Sequence, residues 1–188
     1  MGWLGLDDTD SLAGGCTTEV FDTLLRHLPV GASTGVPRLV RLWPFAQRRT
    51  RGNAALAVEI HTNDVDGLLG HLDAWWTEHL APLRGSMESS LVSDRDQFPA
   101  SPGMVWFDLP PPPSVYFDAV RSHVSIDSLP EPARAWGGHG RIGATAAVAW
   151  PALDFTWEAI AWRLEGEDHR PRHVDDASLD VVDAWPDT

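Results

Sequence analysis

Leu4-Gly5-Leu6-Asp7-Asp8-Thr9-Asp10-Ser11-Leu12-Ala13-Gly14-Gly15-Cys16-Thr17-Thr18-Glu19-Val20 decides how the rest of the chain reads. A short apolar strand, Trp3 to Leu6, runs into three carboxylates crowded on one turn, Asp7, Asp8 and Asp10. Carboxylates held this close repel one another unless a hard divalent cation or a basic partner sits among them. Gly14 and Gly15 follow, then Thr17 and Thr18 open a helical pattern. A glycine loop feeding a helix N-terminus offers bare N–H groups and the positive end of a helix dipole to an anion. Together these features describe a magnesium–phosphate site. The plainer alternative is a polar turn in which Asp10 or Thr17 caps the helix.

Working outward, Val20, Phe21, Leu24, Leu25 and Leu28 recur at helical spacing, which predicts a helix over 17–28. Gly31 to Gly35 reads as a loop, Pro37 to Leu42 and Asn53 to Thr62 as strands, and Val65 to Leu83 as one amphipathic helix. The order β-α-β-β-α over the first half predicts an α/β (α+β) two-layer sandwich. Residues 84–103 mix Ser, Asp, Gly and Pro without a period, as a linker does. The expected domains are therefore 1–95 and 96–188. In the second, Met104 to Phe107 reads as a strand, Val115 to Val124 as a helix and Trp136 to Arg141 as a glycine-rich loop. Ile142 to Trp150 fits helix or strand, Thr156 to Leu164 a strand, and the acidic tail has few apolar anchors. No internal repeat is visible.

Charge narrows the function. The 188 residues carry a formal net charge of −13. All 14 basic residues are Arg, which excludes a lysine-dependent phosphate loop or Schiff base. Arg38, Arg41, Arg48, Arg49 and Arg51 cluster in this acidic chain, the densest run being Arg48-Arg49-Thr50-Arg51-Gly52-Asn53. Guanidinium forks bind phosphate oxygens in pairs, so Arg41, Arg51 and Asn53 join Gly14, Gly15 and Thr18 as expected nucleotide-binding residues. The alternative is a solvated loop. A single cysteine, Cys16, cannot form an internal disulfide. The absence of a membrane-length apolar run predicts a soluble, cytoplasmic protein. Among ten Trp residues, Trp75, Trp76, Trp106 and Trp162 suit packing, while Trp43 or Trp136 could stack on a base or cover a small ligand. Of the eight histidines only His139, inside the glycine loop, suggests a part in a site, and a solvent-facing loop residue is the favoured alternative.

These pieces resemble a known family, the archaeal tRNA(Ile) agmatidine synthases. The resemblance rests on Gly5-Leu6-Asp7-Asp8-Thr9-Asp10-Ser11, Gly15-Cys16-Thr17-Thr18, Pro37 to Leu42, Thr50-Arg51-Gly52-Asn53, Pro102-Gly103, Ile142-Gly143-Ala144 and Asp154 to Arg163, with Arg172, Asp175 and Ser178 in the tail. It implies a kinase-like domain followed by a ferredoxin-like domain, with ATP and Mg as cofactors. It further implies phosphorylation of the 2-carbonyl oxygen of a wobble cytidine and displacement of the phosphate by agmatine. By this resemblance Asp7, Asp8 and Asp10 are the magnesium and catalytic carboxylates, Thr17 is the threonine that becomes autophosphorylated, and Arg51 lies near phosphate. Two positions depart from the pattern: His139 stands where the family has Arg, and Trp43 where it has Asn.

The family's OB-fold and zinc ribbon, which hold tRNA, are not recognisable in the sequence. The first expectation is thus an ATP-dependent phosphotransferase or amine ligase acting on a small nucleobase-like or amide acceptor, without tRNA binding by this chain alone. The alternatives are the catalytic subunit of a two-chain tRNA-modifying enzyme, with a tRNA-binding partner chain, and a nucleotide-binding regulator without turnover. A homodimer is compatible with each.

Overall fold

A computed structural model describes residues 1–10, 15–49, 52–85, 98–156 and 176–184. The chain divides into two compact units, Met1–Pro151 and Ala152–Thr188. The boundary expected at 95/96 lies inside the first.

The α/β (α+β) class stands, built here on one antiparallel sheet. Its strands are β1 (Gly2–Asp7), β2 (Ser33–Thr34), β3 (Arg38–Arg41), β4 (Ala54–His61), β5 (Gly103–Phe107) and β6 (Arg134–Gly137). They lie in the order β2-β4-β1-β5-β6, with β3 also paired to β4. β1 is central: Leu4 faces Val58 on one side and Trp106 on the other. The second-half strand β5 therefore completes the sheet begun by the first half.

Strand alternation sorts side chains to two faces. Leu4, Leu6, Leu56, Val58, Ile60, Met104 and Trp106 bury one face under α1 (Thr17–Arg26) and α2 (Val65–Trp75), whose Phe21, Leu24, Leu68 and Leu72 complete that core. Ala55, Ala57, Val105 and Phe107 turn to the other face, against α3 (Ser114–Ala119) and α4 (Gly140–Val148). Helices thus cover both faces, making three layers where the sequence suggests two.

Local differences have local causes. The helix expected over 65–83 starts on an Asp64 cap, whose carboxylate accepts the Gly67 N–H at 2.8 Å. It ends at Trp75 and passes through a π-helical turn, Trp76–Leu80, and a 3-10 turn, Ala81–Leu83. Pro82 has no N–H and its ring crowds the carbonyl four residues back, so the α-helical ladder shifts before reaching it. The loop expected over 136–141 divides into the end of β6 and the start of α4. Trp136 is drawn into the sheet by burial and by an indole N–H that donates to Asp73 Oδ1 at 2.7 Å. The short strand β2 lies within the loop expected over 31–35.

Ile142 to Trp150, open between helix and strand, is helical through Val148. The second unit contains α5 (Asp176–Asp183). The strand expected over 156–164 falls outside the described residues except for Thr156. No helix among the described residues is long and apolar enough to cross a membrane.

Candidate functional site

β1 ends at Asp7, and the turn beyond it holds the other two carboxylates. Asp8 has φ 60, in the left-handed region. For a residue other than glycine this costs free energy and persists only when its surroundings hold it. Here two hydrogen bonds do so: the Asp8 N–H donates to Asp7 Oδ1 at 2.7 Å, and Asp8 Oδ2 accepts the Ser101 N–H at 3.1 Å. The second crosses from β1 to the segment that leads into β5.

Both carboxyls resist ionisation. Burial pushes Asp7 well above the usual carboxylate range, and the neighbouring Asp8 charge adds to this. Burial likewise pushes Asp8 up to about 7, with Asp10 raising it while the Ser101 N–H and Arg48 pull down. A divalent ion binding here would displace the protons that these carboxyls hold. Among the described residues, no three His, Cys, Asp or Glu side chains converge as a ready-made metal cluster. Magnesium does not need one, since it commonly takes one or two carboxylates, with water and substrate phosphates filling its shell. The hard oxygen donors fit that ion, as does their reluctance to ionise alone.

The three carboxylates line a cleft of about 270 Å³. Trp43, Arg48, Arg49 and Asn53 line it from the β3–β4 connection, and Ser122 to Ile126 from the segment after α3. His139, Gly140, Ile142 and Gly143 come from the start of α4. α4 lies so close to β1 that a Cβ on Gly143 would overlap the Asp7 carboxylate, so any larger residue there must push Asp7 aside. Arg48 faces Asp8 electrostatically and also stacks on Phe98, 4.4 Å from the ring centroid. Burial, together with Arg48 and Arg84, lowers the pKa of His139.

The expected site residues fall into three groups. Asp7, Asp8, Asp10 and Asn53 line the cleft. The Asn53 amide, however, donates to the Trp43 carbonyl at 2.7 Å and so braces the hairpin. Thr17 and Gly15 stand beside Asp10: the Thr9 hydroxyl donates to Thr17 Oγ1 at 3.1 Å, which donates to Asp10 Oδ1 at 3.3 Å. Gly15, at φ +87, packs on Asp10. Thr17 does not cap α1; Cys16 is the N-cap residue and makes no side-chain cap bond. Thr18 and Arg41 do not line the cleft, although Arg41 lies beside Gly52. Gly14 and Arg51 lie outside the described residues. Of the two Trp residues open to ligand contact, Trp43 lines the cleft, while Trp136 belongs to the core.

Sequence reading missed Ser101, which joins both sides of the site. Its N–H holds Asp8, its Oγ accepts the His139 N–H at 3.1 Å, and its carbonyl accepts the Gly140 N–H at 2.9 Å. The Ser122–Ile126 wall was also missed. Neither carries a motif; both arise from strand pairing and from the return of the chain after α3.

Residues 3–69 match the TiaS TCKD domain and residues 138–188 the TiaS FLD domain. The 2-agmatinylcytidine synthetase TiaS of Thermoplasma volcanium, named for an isoleucine tRNA, is 31% identical over 182 residues, covering 86% of this chain and 41% of that protein. The protein of the same name from Haloquadratum walsbyi is 34% identical, covering 94% and 39%. A crystal structure of TiaS in complex with that tRNA and ATP superposes with a TM-score of 0.71 at 28% identity, covering 97% of this chain and 44% of that one. A complex of TiaS with the tRNA, AMPCPP and agmatine gives 0.71 at 27% identity, with the same coverage. The chain thus spans less than half the length of these relatives. Their names and complexes specify tRNA, which tells against the small-molecule acceptor expected from the sequence.

Proposed function

Because the chain belongs to the TiaS family through its TCKD and FLD domains, we propose that its cleft binds ATP with magnesium and carries the catalytic half of a tRNA cytidine–agmatine ligation. The observation that carries this reading is the joining of Asp7, Asp8 and Asp10 to Arg48 and Arg49 in one cleft. Asp7 and Asp8 would hold the ion, which would draw electron density from the phosphate oxygens. Arg48, with Arg51 close by in sequence, carries the remaining phosphate charge, the main contribution a protein makes to phosphoryl transfer. Trp43 offers an aromatic wall to a base.

The acceptor is the 2-carbonyl oxygen of a cytidine. That oxygen attacks phosphorus, and the bond from phosphorus to the rest of the nucleotide breaks. The agmatine amine then attacks C2, and the C–O bond breaks to release the phosphate. The chain Thr9–Thr17–Asp10 gives Asp10 a second role, since a carboxylate accepting the Thr17 hydroxyl proton prepares that oxygen for phosphorylation.

Asp8→Asn tests the site. It should abolish magnesium-dependent ATP turnover while leaving the circular dichroism spectrum unchanged, and wild-type turnover in that variant would remove Asp8 from the mechanism. Incubation with ATP and magnesium should place phosphate on Thr17 by mass spectrometry; phosphate on Thr18 alone would overturn that role. A net charge of −13 with no Lys favours a second feature, weak tRNA binding by this chain on its own. The chain then acts with a tRNA-binding partner chain or module. Tight tRNA binding at physiological salt without any addition would contradict this.

A further inference from the structure

A second cavity, of about 320 Å³, opens between β5, α4 and the 126–135 segment. It is lined by the apolar Val105, Ile126, Leu129 and Pro130 and by the polar Glu131, Arg134, Arg141 and Thr145. Along α4 the two cavities take different residues. Gly140, Ile142 and Gly143 line the first, and Arg141 and Thr145 the second. Positions i and i+4 share a helix face, so a guanidinium and a hydroxyl stand one turn apart on the same wall.

The two arginines there differ. Arg134 is committed to Asp73 through a bidentate pair at 3.2 and 2.7 Å. Arg141 has no such partner: its Nε is buried and makes no hydrogen bond among the described residues. A buried donor left unpaired is costly, and Nε therefore calls for an acceptor from outside the chain. An oxyanion answers it, since a carboxylate or phosphate takes the guanidinium fork at two oxygens. The apolar lining residues Val105, Ile126, Leu129 and Pro130 leave room for an organic body beside the anion. Glu131 on the same rim disfavours a highly charged ligand.

We infer that the cavity between β5 and α4 is an anion-binding site in which the Arg141 fork and the Thr145 hydroxyl hold the carboxylate or phosphate of a small organic molecule. The inference is independent of the ATP reading, because no carboxylate of the first cleft takes part.

The test is NMR titration of the full chain, following the Arg141 Nε–H resonance and the Val105 and Thr145 amides, with butyrate, phenyl phosphate and inorganic phosphate as probes. Saturable downfield movement of the Arg141 Nε–H with an organic anion is expected, with inorganic phosphate binding more weakly. Butyrate and phenyl phosphate separate the carboxylate and phosphate sources. Arg141→Gln should weaken binding at least tenfold. If that variant does not fold, Arg141→Lys keeps the charge and loses the fork, and should weaken binding comparably. Thr145→Val should weaken it less. Three results would overturn the site: no saturable shift with any probe, which leaves water alone as the Nε partner; inorganic phosphate binding as tightly as the organic anions; or shifts confined to Asp8, Arg48 and His139.

Discussion

The two faces of the sheet are packed on opposite principles. Under α1 and α2 the sheet presents Leu4, Leu6, Val58, Met104 and Trp106, and large side chains meet large side chains. Under α4 it presents Gly5, Ala55 and Ala57 to Ala144, Ala146 and Ala147, so backbone approaches backbone. The first arrangement buries the most apolar area, the main source of folding free energy. The second buries less but fixes position more tightly, because its small residues bring the α4 backbone close to β1. The candidate site lies at the edge of the second face, where Asp7 must stand beside the start of α4.

Leu72→Ala should cause the largest loss of stability, about 3–4 kcal/mol from lost burial and the cavity left behind, read as a fall in denaturation midpoint. ATP turnover per folded molecule should stay at the wild-type level. Gly143→Ala should cost about 2 kcal/mol, since the new methyl must displace Asp7, and turnover should disappear. Turnover lost in the first variant or kept in the second would collapse the distinction between the faces.

A third expectation concerns protons. Asp8 ionises near 7 in the folded chain against 3.8 ordinarily, because of burial. Between those values the folded state holds a proton that the unfolded state has released, so Asp8's contribution to stability falls as pH rises through the window. Added magnesium should raise the melting temperature most above pH 7 and hardly at all near pH 5. Equal shifts at both would mean that the ion binds elsewhere. The smallest effect on stability is expected from Thr17→Ala, which loses two hydroxyl hydrogen bonds beside Asp10. It should cost about 1 kcal/mol by chemical denaturation.

The large-residue face was legible in the sequence, because Leu and Phe at helical spacing and alternation in 54–61 are direct records of burial. The small-residue face was not. Ala and Gly over 142–149 carry no periodic contrast, so only tertiary contact shows that the stretch is a helix against β1. The site divides in the same way. Asp7, Asp8, Asp10 and Arg48 announce themselves by charge and crowding. Ser101 acts through its backbone N–H and carbonyl as well as its hydroxyl, and the first two are common to nearly every residue. Its role depends on β5 lying beside β1, a pairing of residues about a hundred positions apart, and no local pattern encodes that.

The backbone of Asp8 has a consequence for how this chain would change under selection. At φ 60 a glycine would sit more comfortably than an aspartate, and an asparagine nearly as well. Either replacement would also remove a carboxylate that burial makes costly to ionise. A library randomised at position 8 and sorted only for resistance to heat or protease should therefore drift to glycine and asparagine. The same library sorted for turnover should return aspartate. Divergence between the two pools would show that the residue persists for its chemistry, against the preference of the fold that holds it.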